Sequence, residues 1–182
     1  MNGSNAVCWG TAGGGGGASP ATPNTPGIVV ACTTADYTAI GCNAFLSSPT
    51  GTGNTAIGNN ALCNEVTGTS NTAIGHSAMC KSNGGTDSVA IGTNALCSVL
   101  ASYYNTAVGA HALRSNLNVT QNTAVGYCAM VANTLGSNNT AIGGVSLWSN
   151  LTGNSNTGIG LRSLYFNNSG SFNTALGGAS LD

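Results

Sequence analysis

The chain has 182 residues, of which only three are Lys or Arg and four are Asp or Glu, giving a net charge of −1 and a charged fraction of 4%, against roughly 25% in a usual soluble domain. So little charge supplies no basic stripe for phosphates, no acidic tail and no cationic amphipathic face, which sets aside binding to nucleic acid or to a membrane surface. The longest apolar run, IVVAC at 28 to 32, is too short to span a bilayer.

Residues 1 to 35 differ from the rest of the chain. They hold a pentaglycine at 13 to 17, the proline-rich SPATPNTPG, and one strand-like segment, Ile28, Val29, Val30, Ala31 and Cys32. This composition predicts an arm that joins subunits rather than a packed domain. The opening residues carry no basic leader followed by an apolar core. The expectation is export by another route, or assembly inside a cell and release with a particle such as a virion.

From residue 36 to 182 one unit recurs, NTAΦGxxAΦ with Φ aliphatic, as in NTAIGNNAL at 54 to 62 and NTAVGAHAL at 105 to 113. Its glycine falls at Gly41, Gly58, Gly75, Gly92, Gly109, Gly126, Gly143, Gly160 and Gly177, a spacing of 17 residues with no insertion or deletion. An unbroken period means that each residue stacks on its counterpart one unit earlier, which predicts a solenoid. A helix pair needs about twice this length. The unit is therefore expected to be a β coil: one short strand over NTAΦ, a bend at the glycine, a second short strand over xAΦ, and a Thr/Gly/Ser/Asn turn. The fold class that follows is an all-β parallel β-solenoid of nine 17-residue coils, preceded by the Gly/Pro-rich arm.

Two aliphatic columns run through the repeats. The residue before the glycine is Ile40, Ile57, Ile74, Ile91, Val108, Val125, Ile142, Ile159 or Leu176, and the residue four after it runs from Phe45 to Leu181. Both are expected to face inward, with Ile57, Ile74, Ile91, Val108, Val125, Ile142 and Ile159 as the core ladder. The alanine columns then turn outward by strand alternation. A second copy of the chain packed along Ala73 and Ala107 would explain their small size; so would a narrow rung.

The cysteines are odd in number, seven, and the spacing of Cys63, Cys80 and Cys97 follows the coil period rather than a disulfide framework. Cys63, Cys80 and Cys97 share one slot of successive rungs and read as a row of small apolar thiols, with a disulfide between neighbouring rungs the competing reading and no metal expected. Trp148 and Tyr165 share that slot on later rungs with Phe166 beside them, a set that suits a subunit contact and, less readily, a sugar ring. Sequons at Asn118, Asn138, Asn150 and Asn167 are candidate glycosylation sites if the chain meets a eukaryotic secretory route. The acidic residues fall in different rungs or slots and the two histidines in different slots, with no partner pair; no catalytic residue and no cofactor is expected, and the chain reads as a non-enzyme. The last unit ends in GGASLD without a polar cap, so rung edges are expected to pair head to tail between copies. Leu176 and Leu181 of one copy would then meet Tyr37, Ile40 and Phe45 of the next, with the Ile28 to Cys32 strand across the joint.

The NTAΦGxxAΦ unit with its TGS or TGN turn resembles the repeats of tail-fibre-like proteins of phages, marine bacteria and large viruses, and more loosely the AIGxxA repeats in the heads of trimeric autotransporter adhesins. The resemblance covers residues 37 to 182. It implies a left-handed parallel β-roll, commonly trimeric, serving as a fibre shaft or adhesive head, and it brings no catalytic residues. The expected function is a structural subunit of an extracellular or virion-surface filament whose partner is the chain itself. The alternative is a trimeric adhesive fibre head that binds host-surface glycans.

Overall fold

The computed structural model describes residues 37–47, 50–98, 103–115 and 117–181; the arm at 1 to 35, with Ile28 to Cys32, lies outside the described residues. The chain is an all-β parallel solenoid. Nine three-residue strands, β1 (Thr38–Ile40), β2 (Thr55–Ile57), β3 (Thr72–Ile74), β4 (Val89–Ile91), β5 (Thr106–Val108), β6 (Thr123–Val125), β7 (Thr140–Ile142), β8 (Thr157–Ile159) and β9 (Thr174–Leu176), form one sheet in sequence order. Every pairing is parallel and in register, Thr on Thr or Val, Ala on Ala or Gly, Φ on Φ. No described helix is long and apolar enough to cross a membrane.

The bend after each strand requires glycine twice over. From Gly41 to Gly177 these residues sit at φ between 112° and 139°, a region that L side chains rarely enter. In addition, a Cβ on Gly92 would lie 2.6 Å from both the carbonyl carbon and the oxygen of Gly109 on the next rung. The backbones at this corner touch.

The xAΦ side of the coil is not the expected second strand. Its backbone turns through left-handed conformations at alternate residues, Asn60 (φ 56°) then Leu62 (φ 47°), Asn94 (φ 54°) then Leu96 (φ 48°). The inter-rung ladder nevertheless continues: Leu62 N donates to Ala78 O (3.0 Å), Met79 N to Ala95 O (3.0 Å) and Leu96 N to Ala112 O (3.0 Å). A left-handed leucine costs about 1–2 kcal/mol. Fully burying its side chain returns about 1.5–3 kcal/mol and satisfies its N–H, so burial wins.

The inside of the coil also differs from the sequence expectation. Ala56, Ala73, Ala90, Ala107, Ala124 and Ala141 are wholly buried, together with Ala61, Ala78, Ala95, Ala112 and Ala129 and the Leu62, Met79, Leu96, Leu113, Met130 and Leu147 column. The residues expected as the core ladder, Ile57, Ile74, Ile91, Val108, Val125, Ile142 and Ile159, point the other way and are half-buried or exposed. The reason is volume. A coil with one three-residue strand encloses a lumen one large side chain wide, and the Leu/Met column fills it. Only Ala fits opposite, so the middle residue of T-A-Φ turns inward and both its neighbours turn outward. The second copy expected along Ala73 and Ala107 therefore has no access to them.

Beside this apolar column runs a buried polar one that the sequence reading missed. Asn54 Oδ1 accepts from Asn71 N (2.9 Å), Asn71 Oδ1 from Ser88 N (3.1 Å), Ser88 Oγ from Asn105 N (3.2 Å) and Asn105 Oδ1 from Asn122 N (2.9 Å); the chain continues through Asn139 and Asn156 to Asn173. From Asn54 to Asn156 each amide nitrogen of the column reaches a backbone carbonyl of the turn, as Asn54 Nδ2 does to Gly68 O (2.7 Å) and Asn139 Nδ2 to Gly153 O (2.8 Å). The asparagines thus satisfy the backbone where it enters the strand and tie the preceding turn to it.

Candidate functional site: the outer threonine and aliphatic face

The side of the sheet that faces away from the lumen carries two columns. One is Thr38, Thr55, Thr72, Val89, Thr106, Thr123, Thr140, Thr157 and Thr174, and the other is the Φ column from Ile40 to Leu176. None of these positions is charged. Ile91, Ile142 and Ile159 are exposed at 38%, 41% and 38%, and Leu176 at 67%. Eight strand intervals at about 4.8 Å make this an apolar strip about 38 Å long. Its side chains are nearly all β-branched, with χ1 already restricted, so covering them costs little rotamer entropy.

The other predicted residues are distributed as follows. Of the rung-end set, Tyr37 and Phe45 come together as a stacked pair with ring centroids 5.1 Å apart, which covers Phe45, and Ile40 lies on the outer face. Leu176 and Leu181 stand exposed on the β9 rung. Trp148 and Tyr165 stack along the axis at 5.9 Å with planes 16° apart, and Phe166 meets Tyr165 edge-on at 4.7 Å. The Arg162 guanidinium lies 4.7 Å from the Tyr165 ring centroid. Trp148 and Tyr165 thus turn ring faces toward each other as a ladder continuing the coil, and Phe166 stands exposed beside it.

The candidate glycosylation sites divide. Asn118 and Asn138 are exposed. Asn150 is wholly buried, its Nδ2 donating to Gly153 O (2.9 Å) and Asn133 Oδ1 (3.2 Å). Asn167 is half-buried and donates to Asn150 Oδ1 (3.0 Å) and Gly170 O (2.9 Å). Both belong to a second internal amide column, so a glycan on Asn150 is incompatible with the folded coil.

Two rungs of that same slot hold Glu65 and Ser82. The Glu65 carboxyl is wholly buried: Oε1 accepts from Val66 N (3.1 Å), Gly68 N (2.6 Å) and Gly84 N (2.8 Å), and Oε2 from Ser82 Oγ (2.6 Å). Four donors from the chain itself occupy this group, which makes it a brace for two turns rather than an acid facing a substrate.

The thiols of Cys63, Cys80 and Cys97 are free and stacked on successive rungs, Cys63 buried and the other two half-buried. Cys63 Sγ donates to Cys80 O (3.3 Å). Burial pushes the Cys63 thiol up to about 12, and burial likewise raises that of Cys97. No family model, curated protein or solved structure matches the chain.

Proposed function

We propose that the chain is a structural subunit that self-assembles into an extracellular or virion-surface filament, and that copies meet through the outer Thr/Φ face. The observation that carries this is the outward-facing aliphatic column, unbroken from Ile40 to Leu176 and exposed at Ile91, Ile142, Ile159 and Leu176. A contiguous apolar strip on a charge-poor surface marks an interaction site. A second copy is its best match, since two identical ladders share one rise per rung and each Φ can sit in the notch between two Φ of the other. At Ile91, Ile142 and Ile159, exposed at 38%, 41% and 38%, covering that remainder returns about 0.6–1.2 kcal/mol per residue, with less at the half-buried Ile40, Ile57, Ile74, Val108 and Val125 and more at Leu176. Over nine rungs on two copies the sum has an upper bound of about 10–20 kcal/mol, against an association cost of about 4–15 kcal/mol. A short stretch of rungs would not hold a partner; the full solenoid would.

The test is negative-stain microscopy with sedimentation velocity on the wild type and on the double variant Ile74→Lys, Val108→Lys, which places two cations in the strip without touching the lumen. Long uniform filaments from the wild type and discrete rods with unchanged far-UV dichroism from the variant support the reading. Filaments from both, or a monodisperse monomer from the wild type, refute it. The same face would serve the alternative, a trimeric adhesive head, which predicts rods of fixed length and three-copy mass.

A further inference from the structure

We infer that the Cys63, Cys80 and Cys97 column is a binding site for thiophilic d10 cations of the Cu(I) and Ag(I) class, each held linearly between two neighbouring rungs. The argument is one of translation. In an in-register parallel solenoid every backbone atom repeats one rise up the axis, so equivalent Cβ atoms, and the sulfurs they carry when in one rotamer, are spaced about 4.8 Å apart. A disulfide needs Cβ atoms about 3.5–4.5 Å apart and sulfurs in direct bond, so it would have to draw two rungs together. The rungs resist this: Asn64 N is bonded to Cys80 O (3.2 Å) and Lys81 N to Cys97 O (3.0 Å), one bond holding each of the two rung steps. A metal–thiolate bond of about 2.3 Å doubled in a line spans about 4.6 Å, which is the rung spacing itself. Soft thiolate donors select such ions.

Three further features fit. Three stacked thiols offer two bridging positions with Cys80 common to both. Two of the three are half-buried, so an ion can reach them. The cations Lys81 and Arg114 act on Cys97 in the direction that favours its thiolate, and so offset the negative charge that builds up as the column is loaded. No three His, Cys, Asp or Glu side chains converge on a point among the described residues, so a four-coordinate ion such as Zn(II) has no cage here, whereas a two-coordinate ion needs only a pair. The binding step balances without a redox partner: each bridged ion forms two S–M bonds, and the thiol protons leave to solvent.

The test uses the full chain with Cys8→Ser, Cys32→Ser, Cys42→Ser and Cys128→Ser, so that only the column remains. It is reduced, exposed to Ag(I) and washed with excess monothiol. Native mass spectrometry is expected to show two retained ions, and X-ray absorption a two-coordinate sulfur-only environment. Adding Cys80→Ser, with far-UV dichroism confirming the fold, removes the shared ligand and is expected to abolish retention of both ions. No retained ion before that change, retention that Cys80→Ser leaves unaltered, or a sulfur count above two, overturns the inference. A loss of two mass units on mild oxidation with no metal, marking a disulfide within the column, also overturns it, because the rung spacing is then not rigid.

Discussion

Replacing Gly92 by alanine and comparing the cost with the same change at Gly177 separates the two demands made on the corner glycines. At Gly92 the new Cβ faces φ 134° and lies 2.6 Å from the Gly109 carbonyl carbon and oxygen, and 3.0 Å from Ala110 N. Real Cβ contacts essentially never fall under 3.0 Å, and the obstacle is backbone, so the next rung must move by at least 0.4 Å (3.0 minus 2.6 Å). That movement stretches the bonds across the same rung step, from Gly109 N to Ile91 O (2.7 Å) and His111 N to Thr93 O (2.9 Å). The strained φ costs about 1–3 kcal/mol, and weakening two backbone hydrogen bonds adds about 1–3 kcal/mol. At Gly177 φ is 112° but nothing lies within 4 Å of the added Cβ, so only the first term applies. Guanidinium denaturation is expected to show Gly92→Ala as the more damaging by about 1–3 kcal/mol. Equal costs at the two sites would refute the claim that rungs touch at this corner.

Three further outcomes follow from the same contacts. Gly158 stands where other rungs have alanine because its Cβ would lie 2.8 Å from Ser146 Oγ and 2.9 Å from Ser163 Oγ; Gly158→Ala is expected to cost about 1–3 kcal/mol in urea, and to become neutral or better once both serines are changed to alanine. Asn122→Ala would strand Asn139 N, while Gly136 O keeps its second donor, Asn133 Nδ2, at a cost of about 1–3 kcal/mol in thermal or chemical melts, whereas Asn122→Ser is milder, since Ser88 already fills that slot and accepts from Asn105 N. Because the Cys63 thiol is pushed up to about 12 by burial, it remains protonated at neutral pH; peptide mapping after alkylation is expected to show Cys63 labelled far more slowly than the exposed Cys42, with its rate still rising above pH 9.

Much of this architecture was legible because a fixed period is a geometric statement. The 17-residue spacing gave the in-register stack, the glycine column gave the corner, and the Leu/Met column gave one wall of the lumen. The orientation of T-A-Φ was not legible, since a three-residue strand is too short for alternation to declare a side and hydropathy alone favours placing isoleucine inside. The width of the coil decides instead, and width is set by a backbone turn on the far side that no residue type announces: Leu62 and Leu96 take left-handed φ because their burial outweighs the strain. The asparagine column was hidden for a different reason. Asn at the head of NTA reads as a turn residue, yet its recurrence before almost every strand was as regular as that of the glycine and carried the same message, a position whose neighbours above and below are fixed. Asn150 shows the converse, a sequon whose side chain is already spent on the chain's own carbonyls.

The reversal of the alanine and isoleucine sides also moves the candidate interface. Small residues that suggested a docking seam are the lumen wall, and the residues that read as core are left as an outer strip. The most direct test attaches a nitroxide at position 91 through Ile91→Cys, in a background with the native cysteines replaced, and follows its collision rate with a water-soluble paramagnetic reagent as protein concentration rises. Position 134, on the turn side, serves as the reference. The label at 91 is expected to be accessible in dilute protein and to become protected as assemblies form, while that at 134 remains accessible throughout. Protection at 91 already present in dilute monomer would return isoleucine to the lumen, and accessibility that persists in the assembled protein would place the contact on another face; either result contradicts the account.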